Sequence, residues 1–442
     1  MISNLKPYPA YKDSGVRWLG KVPEHWEVMP VKRALRPQSC GNAAIKNTAV
    51  ATPLDGYAPA FSASGQDVWL PRALHRGSAL VLSAVGARCG KTFRADGEWG
   101  VVANTHILWP RAGQNRDYWW YVTNNEAWWD KAGAAQPFVR VSATLERSWV
   151  IPPLPEQTAI VRFLDYMDRR IRRSIRAKQK LIKLLEEYRQ ALIHQAVTGK
   201  IDVRTGQPYP SYKDSGVPWL GKVPEHWEVQ CLKTICTMKA GENITNQSIE
   251  PSGEFPVYGG NGIRGYTSRF THEGEFIVIG RQGALCGNVH LVDGRFWASE
   301  HAIVVSPYSS YNLQWFAALL EAMNLNQYSM AAAQPGLAVE RVRNLWAPVP
   351  PYEEQRNIAE HTTCVTSWID AAIAAARREI ELLREYRERL IADVVTGKVD
   401  VRQVAAQLPD EPPDQEAGTE EEEPVAEELA TVDSQEESNG EE

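Results

Sequence analysis

Two long stretches of the chain carry apolar residues at alternating steps of four and three, with no proline or glycine to interrupt them. After Pro152, Pro153 and Pro155, neither residue recurs until Gly199. One stripe runs through Ile160, Leu164, Met167, Ile171, Ser174, Lys178, Leu181, Leu185, Tyr188 and Leu192. This predicts a helix of about 42 residues, roughly 63 Å at 1.5 Å per residue. A second stripe runs through Ile358, Thr362, Val365, Ile369, Ala372, Ala376, Glu379, Leu383, Tyr386 and Leu390. Both weaken midway, where Lys178 and Glu379 must snorkel or pair. A helix with one apolar stripe needs a partner, and packing the two against each other is the economical solution. Gly199 and Gly397 are the natural C-cap glycines, and the prolines are a stiff entry to each helix.

Outside the helices the pattern changes to short β-prone runs bounded by glycine, such as Ser78–Ala84 and Glu275–Gly280. Asn312–Met330 reads as a helix. Asp117–Asp130, with four tryptophans, occupies the equivalent place, and those rings read as core packing.

The chain is written twice. Tyr8–Val28 (YPAYKDSGVRWLGKVPEHWEV) recurs as Tyr209–Val229 with only Ala10/Ser211 and Arg17/Pro218 changed. Ile151–Gln157 (IPPLPEQ) matches Val349–Gln355 (VPPYEEQ), and Val197–Arg204 (VTGKIDVR) matches Val395–Arg402 (VTGKVDVR). Between these blocks the copies diverge. Gly86–Gly90 still parallels Gly283–Gly287, but the segment from Tyr57 to Trp69 has no visible counterpart of Tyr258-Gly259-Gly260-Asn261-Gly262. The predicted organisation is a strand-rich domain over 1–150, a helix over 151–204, a second domain over 205–348, a helix over 349–402 and a disordered acidic tail over 403–442. The fold class is α+β: two strand-rich domains separated by two long antiparallel helices in a pseudo-two-fold duplication.

A length of 442 residues suits two or three domains, and 43% hydrophobic with 23% charged residues is an ordinary globular balance. The net charge of −6 argues at first against a nucleic-acid partner. Its distribution does not. The last 40 residues hold 15 acidic and no basic side chains, which leaves the body at +9. Within the body, residues 1–204 carry +13 and residues 205–402 carry −4. The six cysteines are scattered and read as reduced thiols. The expected location is cytoplasmic, with no membrane partner, since no signal peptide or membrane span is apparent.

Catalytic readings fail on named residues. Gly260–Gly265 fits GxGxxG but lacks a following helix, and reads as a glycine-rich hairpin. Gly86–Thr92 is one residue short of a P-loop. Val349-Pro350-Pro351-Tyr352 lacks the leading amide or carboxylate of an amino-methyltransferase motif. His25 and His226 read as structural turns that pack Trp26 and Trp227. No catalytic or metal-binding set is expected. Binding residues remain. Arg88, Lys91, Asn261, Arg264, Tyr266, Arg269, Arg281 and Gln282 are the candidate DNA contacts, because Arg reads guanine, Asn and Gln read adenine, and cations neutralise phosphates. Ile160, Leu164, Ile171, Leu185, Leu192, Ile358, Ile369, Leu383 and Leu390 are the candidate seam and partner face.

These blocks resemble the specificity subunits of type I restriction–modification systems, over about residues 7–402. The motifs are YKDSGVxWLGKVPEHWEV at both starts, PPLPEQ and PPYEEQ at the helix entries, and VTGKIDV and VTGKVDV at the helix ends. The resemblance implies two target-recognition domains, each reading one half of a split site in double-stranded DNA, with the helices as a ruler. It also implies docking of two methyltransferase subunits, then motor–nuclease subunits. No cofactor is expected in this chain, whereas the partners use S-adenosylmethionine, ATP and Mg²⁺. A rival reading is a free-standing coiled-coil DNA-binding regulator. The duplication argues against it, since one chain already contains both halves. An enzyme acting on DNA by itself is the third reading, against which the missing motifs argue.

Overall fold

The computed structural model describes residues 5–40, 48–133, 136–283, 285–329 and 336–409. It forms two compact units. One holds the described residues up to Arg176 and from Glu381 onward, and the other holds Ala177–Ile380. Both long helices contribute a stretch to each unit, since they run over Leu154–Val197 and Tyr352–Val395.

In the first unit, Leu35–Cys40, Thr105–Pro110, Ala79–Ser83 and Thr92–Ala95 form an antiparallel sheet in that order. A second sheet orders Gly65–Leu70, Ala58–Ser62, Glu98–Val101 and His75–Arg76, with one parallel pairing of Gly100 to Ala60. The alternating inward residues Val81, Ile107 and Ala79 meet Trp99 and Phe61 in one core between them. The second unit repeats this strand for strand. Cys236–Ala240, Ala302–Pro307, Phe276–Gly280 and Val289–Val292 form one sheet. Gly262–Thr267, Phe255–Gly259, Arg295–Ala298 and His272–Glu273 form the other.

This repetition corrects one sequence expectation. The first copy does have a counterpart of the Tyr258–Gly262 segment: the hairpin of Ala58–Ser62 and Gly65–Leu70. Both hairpins carry a register shift at the same step, Ala60/Phe61 in one and Val257/Tyr258 in the other. Gly259 and Gly260 of the second hairpin are replaced by Ser62 and Ala63 in the first, and Asn261 by Ser64, while Gly65 keeps the place of Gly262, so the fold is shared where most of the sequence signal is lost.

Two further expectations change. The helix expected over Asn312–Met330 runs only Leu313–Ala322, because Asn324 adopts a left-handed backbone (φ 46°); a short 3₁₀ turn, Leu325–Tyr328, follows, and Met330 lies outside the described residues. The acidic tail does not begin at residue 403. Arg402–Gln407 is a helix, Ala405 is buried, and Arg162 donates a hydrogen bond to the Leu408 carbonyl at 2.6 Å. Residues 410–442 lie outside the described residues.

The tryptophan-rich segment forms a helix over Arg116–Thr123 and a 3₁₀ turn over Glu126–Trp128. Trp119 and Trp129 are buried in the core, and Trp120 is half-buried with the Arg94 guanidinium 4.1 Å above its ring.

The helix stretches run antiparallel within each unit. In the first, Leu390 and Val394 join Ile160, Phe163, Leu164 and Met167 in one core, and Arg387 donates to Asp168 at 2.5 Å. In the second, Lys178 pairs with Glu379, Arg377 with Glu186 at 3.1 Å, and Arg189 with Asp370 at 3.4 Å. Lys178 and Glu379, the two charges on the expected seam, therefore neutralise each other. The inward row of the second helix is Ile369, Ile373, Ala376 and Ile380 rather than one through Ala372 and Glu379. The one-residue slip, about 100° around the helix, buries two isoleucines and leaves the carboxylate wet, which avoids its desolvation.

Candidate functional site

Two kinds of constellation are built twice. The first ties each repeated start segment to the helix ends. In the first unit, Tyr8 donates to the buried Glu156 carboxylate at 2.5 Å, and the His25 Nε2 lies 2.8 Å from its other oxygen. Arg402 forms a bidentate pair with Asp400, stands 3.7 Å from Glu156, and covers the Tyr8 ring at 5.1 Å. In the second unit, Tyr209, His226 and Trp227 converge on Glu354 at 3.0, 2.8 and 2.8 Å, with Arg204 paired to Asp202 beside it. Burial and the adjacent carboxylate push the Tyr8 and Tyr209 hydroxyls well above the usual tyrosine range. Burial would raise the Glu354 carboxyl, but the hydrogen bonds from Trp227, His226 and Tyr209 outweigh it and hold it below the ordinary value.

The neighbouring glutamine has its own duty. Gln157 is fully buried, accepts from the Asn115 backbone N–H at 2.8 Å and donates to the Pro152 carbonyl at 2.8 Å. Gln355 repeats both bonds with Asn312 and Pro350, each at 2.9 Å. Each Glu-Gln pair thus anchors the start segment and the packed short helix to the long helix. The sequence carries this signal in the repeated PEQ and EEQ, whose glutamate and glutamine have a purpose beyond the stiff proline entry expected of the block.

The second constellation is an exposed tip on each strand-rich region. In the second unit the turn Gly260-Asn261 closes one hairpin and meets the loop that follows Phe276–Gly280. A Cβ on Gly260 would lie 2.2 Å from the Gln282 carbonyl oxygen, and one on Gly280 would lie 1.9 Å from the Gly260 carbonyl oxygen. Only glycine permits that approach. It brings Asn261 and Gln282 to one tip, where Asn288 donates to the Asn261 Oδ1 at 2.8 Å and Gln282 pairs with His301. In the first unit the corresponding turn holds Ala63 and Ser64, and Arg88 reaches the Ser64 carbonyl at 3.4 Å, with Lys91 in the same loop. The two loops share their internal hydrogen bonds: Cys89 N–H to Gly86 and Cys286 N–H to Gly283, each at 3.0 Å.

The other candidates lie elsewhere. Arg264 donates to Asn246 at 2.9 Å. Tyr266 pairs its backbone with Glu250 and is half-buried. Arg269 is exposed, 5.8 Å from the Trp297 ring. Arg281 donates to the carbonyls of Glu300 and Leu337, at 3.2 and 3.4 Å, and so props the tip from behind. Ser64, Asn288 and His301 belong to the tips and were missed, because only the register of the strands aligns them. Among the described residues, no group of three His, Cys, Asp or Glu could hold a metal ion, and no helix is long and apolar enough to cross a membrane.

Of the candidate seam, Ile160, Leu164, Ile171, Ile358, Ile369 and Leu390 are buried, whereas Leu185, Leu192 and Leu383 are half-buried. Leu181 and Tyr188, expected on the seam, are instead exposed together with Leu184, and Trp368 is exposed on the second helix.

Comparison with known proteins adds to this picture. Residues 224–381 match the type I restriction modification DNA specificity domain. The chain is 49% identical over 132 residues to the EcoprrI type I restriction enzyme specificity subunit of Escherichia coli, covering 29% of this chain and 33% of that protein. It is 28% identical over 167 residues to a putative type I restriction enzyme specificity subunit of Haemophilus influenzae, covering 34% and 43% respectively. The matches thus span less than half the length of these relatives. A solved structure described as the basis of complex assembly and conformational transition of a type I restriction–modification system shares the fold, with a TM-score of 0.65 at 14% identity. It covers 85% of this chain and 98% of that one. By these matches residues 224–381 are similar to the DNA specificity domain of type I restriction–modification systems, and the doubled α+β fold is one that a solved protein of such a system shares.

Proposed function

We propose that this chain is the non-catalytic DNA-reading subunit of a type I complex, in which each exposed tip reads one half of a split site in double-stranded DNA. The observation that carries this reading is the pair of tips. One chain holds the same two-loop frame twice, with different polar side chains on each copy, which is what two unlike half-sites require. The long helices set the spacing between the half-sites. The exposed Leu181, Leu184 and Tyr188 stripe and Trp368 supply apolar surface of the kind a stable subunit contact covers. Methyltransferase subunits are the proposed occupants, followed by motor–nuclease subunits. S-adenosylmethionine, ATP and Mg²⁺ belong to those partners in this reading.

The test is a domain swap. Residues 30–150 are replaced by those of a relative, the subunit is expressed with its methyltransferase, and host DNA methylation is mapped. One half-site should change while the other half-site and the spacer persist. Change in both halves, or in neither with the swapped protein folded, overturns the reading.

A further inference from the structure

The two tips share a backbone frame but carry opposite chemistry. At the first, Arg88 reaches the turn of Ala63 and Ser64, and Lys91 follows in the same loop. At the second, the loop register puts Leu285 and Asn288 where Arg88 and Lys91 stand, and Asn261 where Ser64 stands. A cationic tip in one copy is an amide tip in the other.

The second tip is more than a pair of exposed amides. Asn288 Nδ2 donates to Asn261 Oδ1 at 2.8 Å. An amide has two donors and one acceptor oxygen. This bond uses one N–H of Asn288 and one lone pair of Asn261, so each amide keeps a donor and an acceptor side by side. That is the complement of the adenine edge in the major groove, where N7 accepts and N6–H donates. A guanine edge there presents two acceptors, O6 and N7, so an amide facing it bidentately would set its carbonyl oxygen against an acceptor. The Gly260–Gln282 approach fixes the backbone under Asn261, so the pair is held in place before any ligand arrives. At the first tip, the Arg88 guanidinium offers only donors, which suits the two acceptors of guanine.

We propose that the Asn261–Asn288 pair reads an adenine in one half-site and that Arg88 reads a guanine in the other. The inference rests on the DNA-reading function above and adds which side chain reads which base. Lys91 serves the adjoining phosphate. It therefore contributes affinity and salt dependence without sequence preference.

The experiment is selection from a randomised duplex library by the full-length chain together with its methyltransferase subunits, comparing wild type with Asn261→Ala, Asn288→Ala, Arg88→Gln and Lys91→Gln. Arg88, Asn261 and Asn288 are exposed and Lys91 is half-buried, and equal melting temperatures establish that the variants fold. Either asparagine variant should lose preference for one adenine of one half-site by about 5- to 150-fold, with the other half-site untouched. Arg88→Gln should lose one guanine of the other half-site to the same extent. Lys91→Gln should weaken all sequences alike. Unchanged base preference in the asparagine and arginine variants, or a loss uniform over all sequences, overturns the assignment while leaving the DNA-reading function standing. A wild-type complex that enriches no sequence defeats that function, and the assignment with it.

Discussion

Replacing Gly199 by alanine is expected to destabilise the protein by about 2–5 kcal/mol, whereas the same change at Gly206 costs about 1–2 kcal/mol. Gly199 ends the first long helix. Its N–H bonds to the Ala196 carbonyl at 3.3 Å, and the Lys200 N–H reaches back to Gln195 at 2.9 Å, the doubled bond of a Schellman cap. Its φ is +68°, where an L side chain costs about 1–2 kcal/mol. A Cβ there would also lie 2.5 and 2.6 Å from Pro224 Cδ and Cγ and 3.0 Å from the Trp227 ring. Carbon atoms prefer about 3.5–4.0 Å, and forced overpacking costs about 1–3 kcal/mol more. Gly206 has nearly the same φ, +70°, with nothing within 4 Å of a Cβ, so it carries the backbone penalty alone. The loss of unfolded-state freedom is the same for both changes and cancels in the comparison. Urea unfolding followed by tryptophan fluorescence, read as midpoints at constant slope, measures both. Equal losses at the two glycines would refute the reasoning, because the contact between the helix end and the repeated start segment would then carry no weight. Gly397 stands in the same relation to Pro23 and Trp26 in the first unit, at 2.4 and 3.0 Å, so its alanine variant should behave like that of Gly199.

Other perturbations test other parts. Glu354 has a depressed folded-state pKa, so its contribution to stability is present above the unfolded carboxylate value of about 4.3 and is lost as pH falls through the folded value. Below pH ~4.3 the denaturation midpoint of wild type should fall more steeply than that of Glu354→Gln, and parallel curves count against the hydrogen-bonded carboxylate. Lys178→Glu should cost about 0.2–1 kcal/mol at low salt, mostly recovered by adding Glu379→Lys and diminished in high salt; a reversed pair no better than the single change dismisses the ion pair. Inserting one or two residues near Ser174 should change the spacer preference and leave the half-sites alone, as read by methylation mapping; an unchanged spacer in a folded protein removes the ruler. Truncation after Pro409, which spares the packed Arg402–Gln407 helix, should raise non-specific DNA affinity at low salt if the 15 acidic residues compete for the basic surface, and unchanged affinity excludes that role.

Long-range order was legible wherever a single periodicity governed it. The uninterrupted stripes from Ile160 and from Ile358 gave two helices of 44 residues each. The glycine-bounded apolar runs appear as the strands Ala79–Ser83 and Phe276–Gly280. Where two registers compete, sequence alone does not choose. Ile369 can be followed by Ala372 and Glu379 or by Ile373 and Ile380, and only the facing helix decides which row is dry. The first hairpin was invisible for another reason. Its twin is recognised by glycines that the close approach of Gly260 to Gln282 demands, and with Ala63 and Ser83 in those places the composition no longer marks the turn.

The two internal copies also sort their residues by physical duty. Tyr8 and Tyr209, His25 and His226, Glu156 and Glu354, and Gln157 and Gln355 are identical because each makes the same bond in its own unit. The tip residues answer to no such constraint. Ser64, Arg88, Asn261, Gln282 and Asn288 are exposed and belong to neither core, so most changes there should alter stability by no more than about 0.5 kcal/mol. Gly260 and Gly280 are the exception, since any side chain at either would strike backbone. The second tip is thus confined to variation in its side chains over a fixed turn, whereas the first, without that glycine contact, is free to vary its turn as well. The net charge fits the proposed function. In that reading the first copy, within a +13 half, has cations enough for general phosphate attraction, while the second, within a −4 half, would have to obtain its grip on DNA from a few placed groups and from the proposed partners.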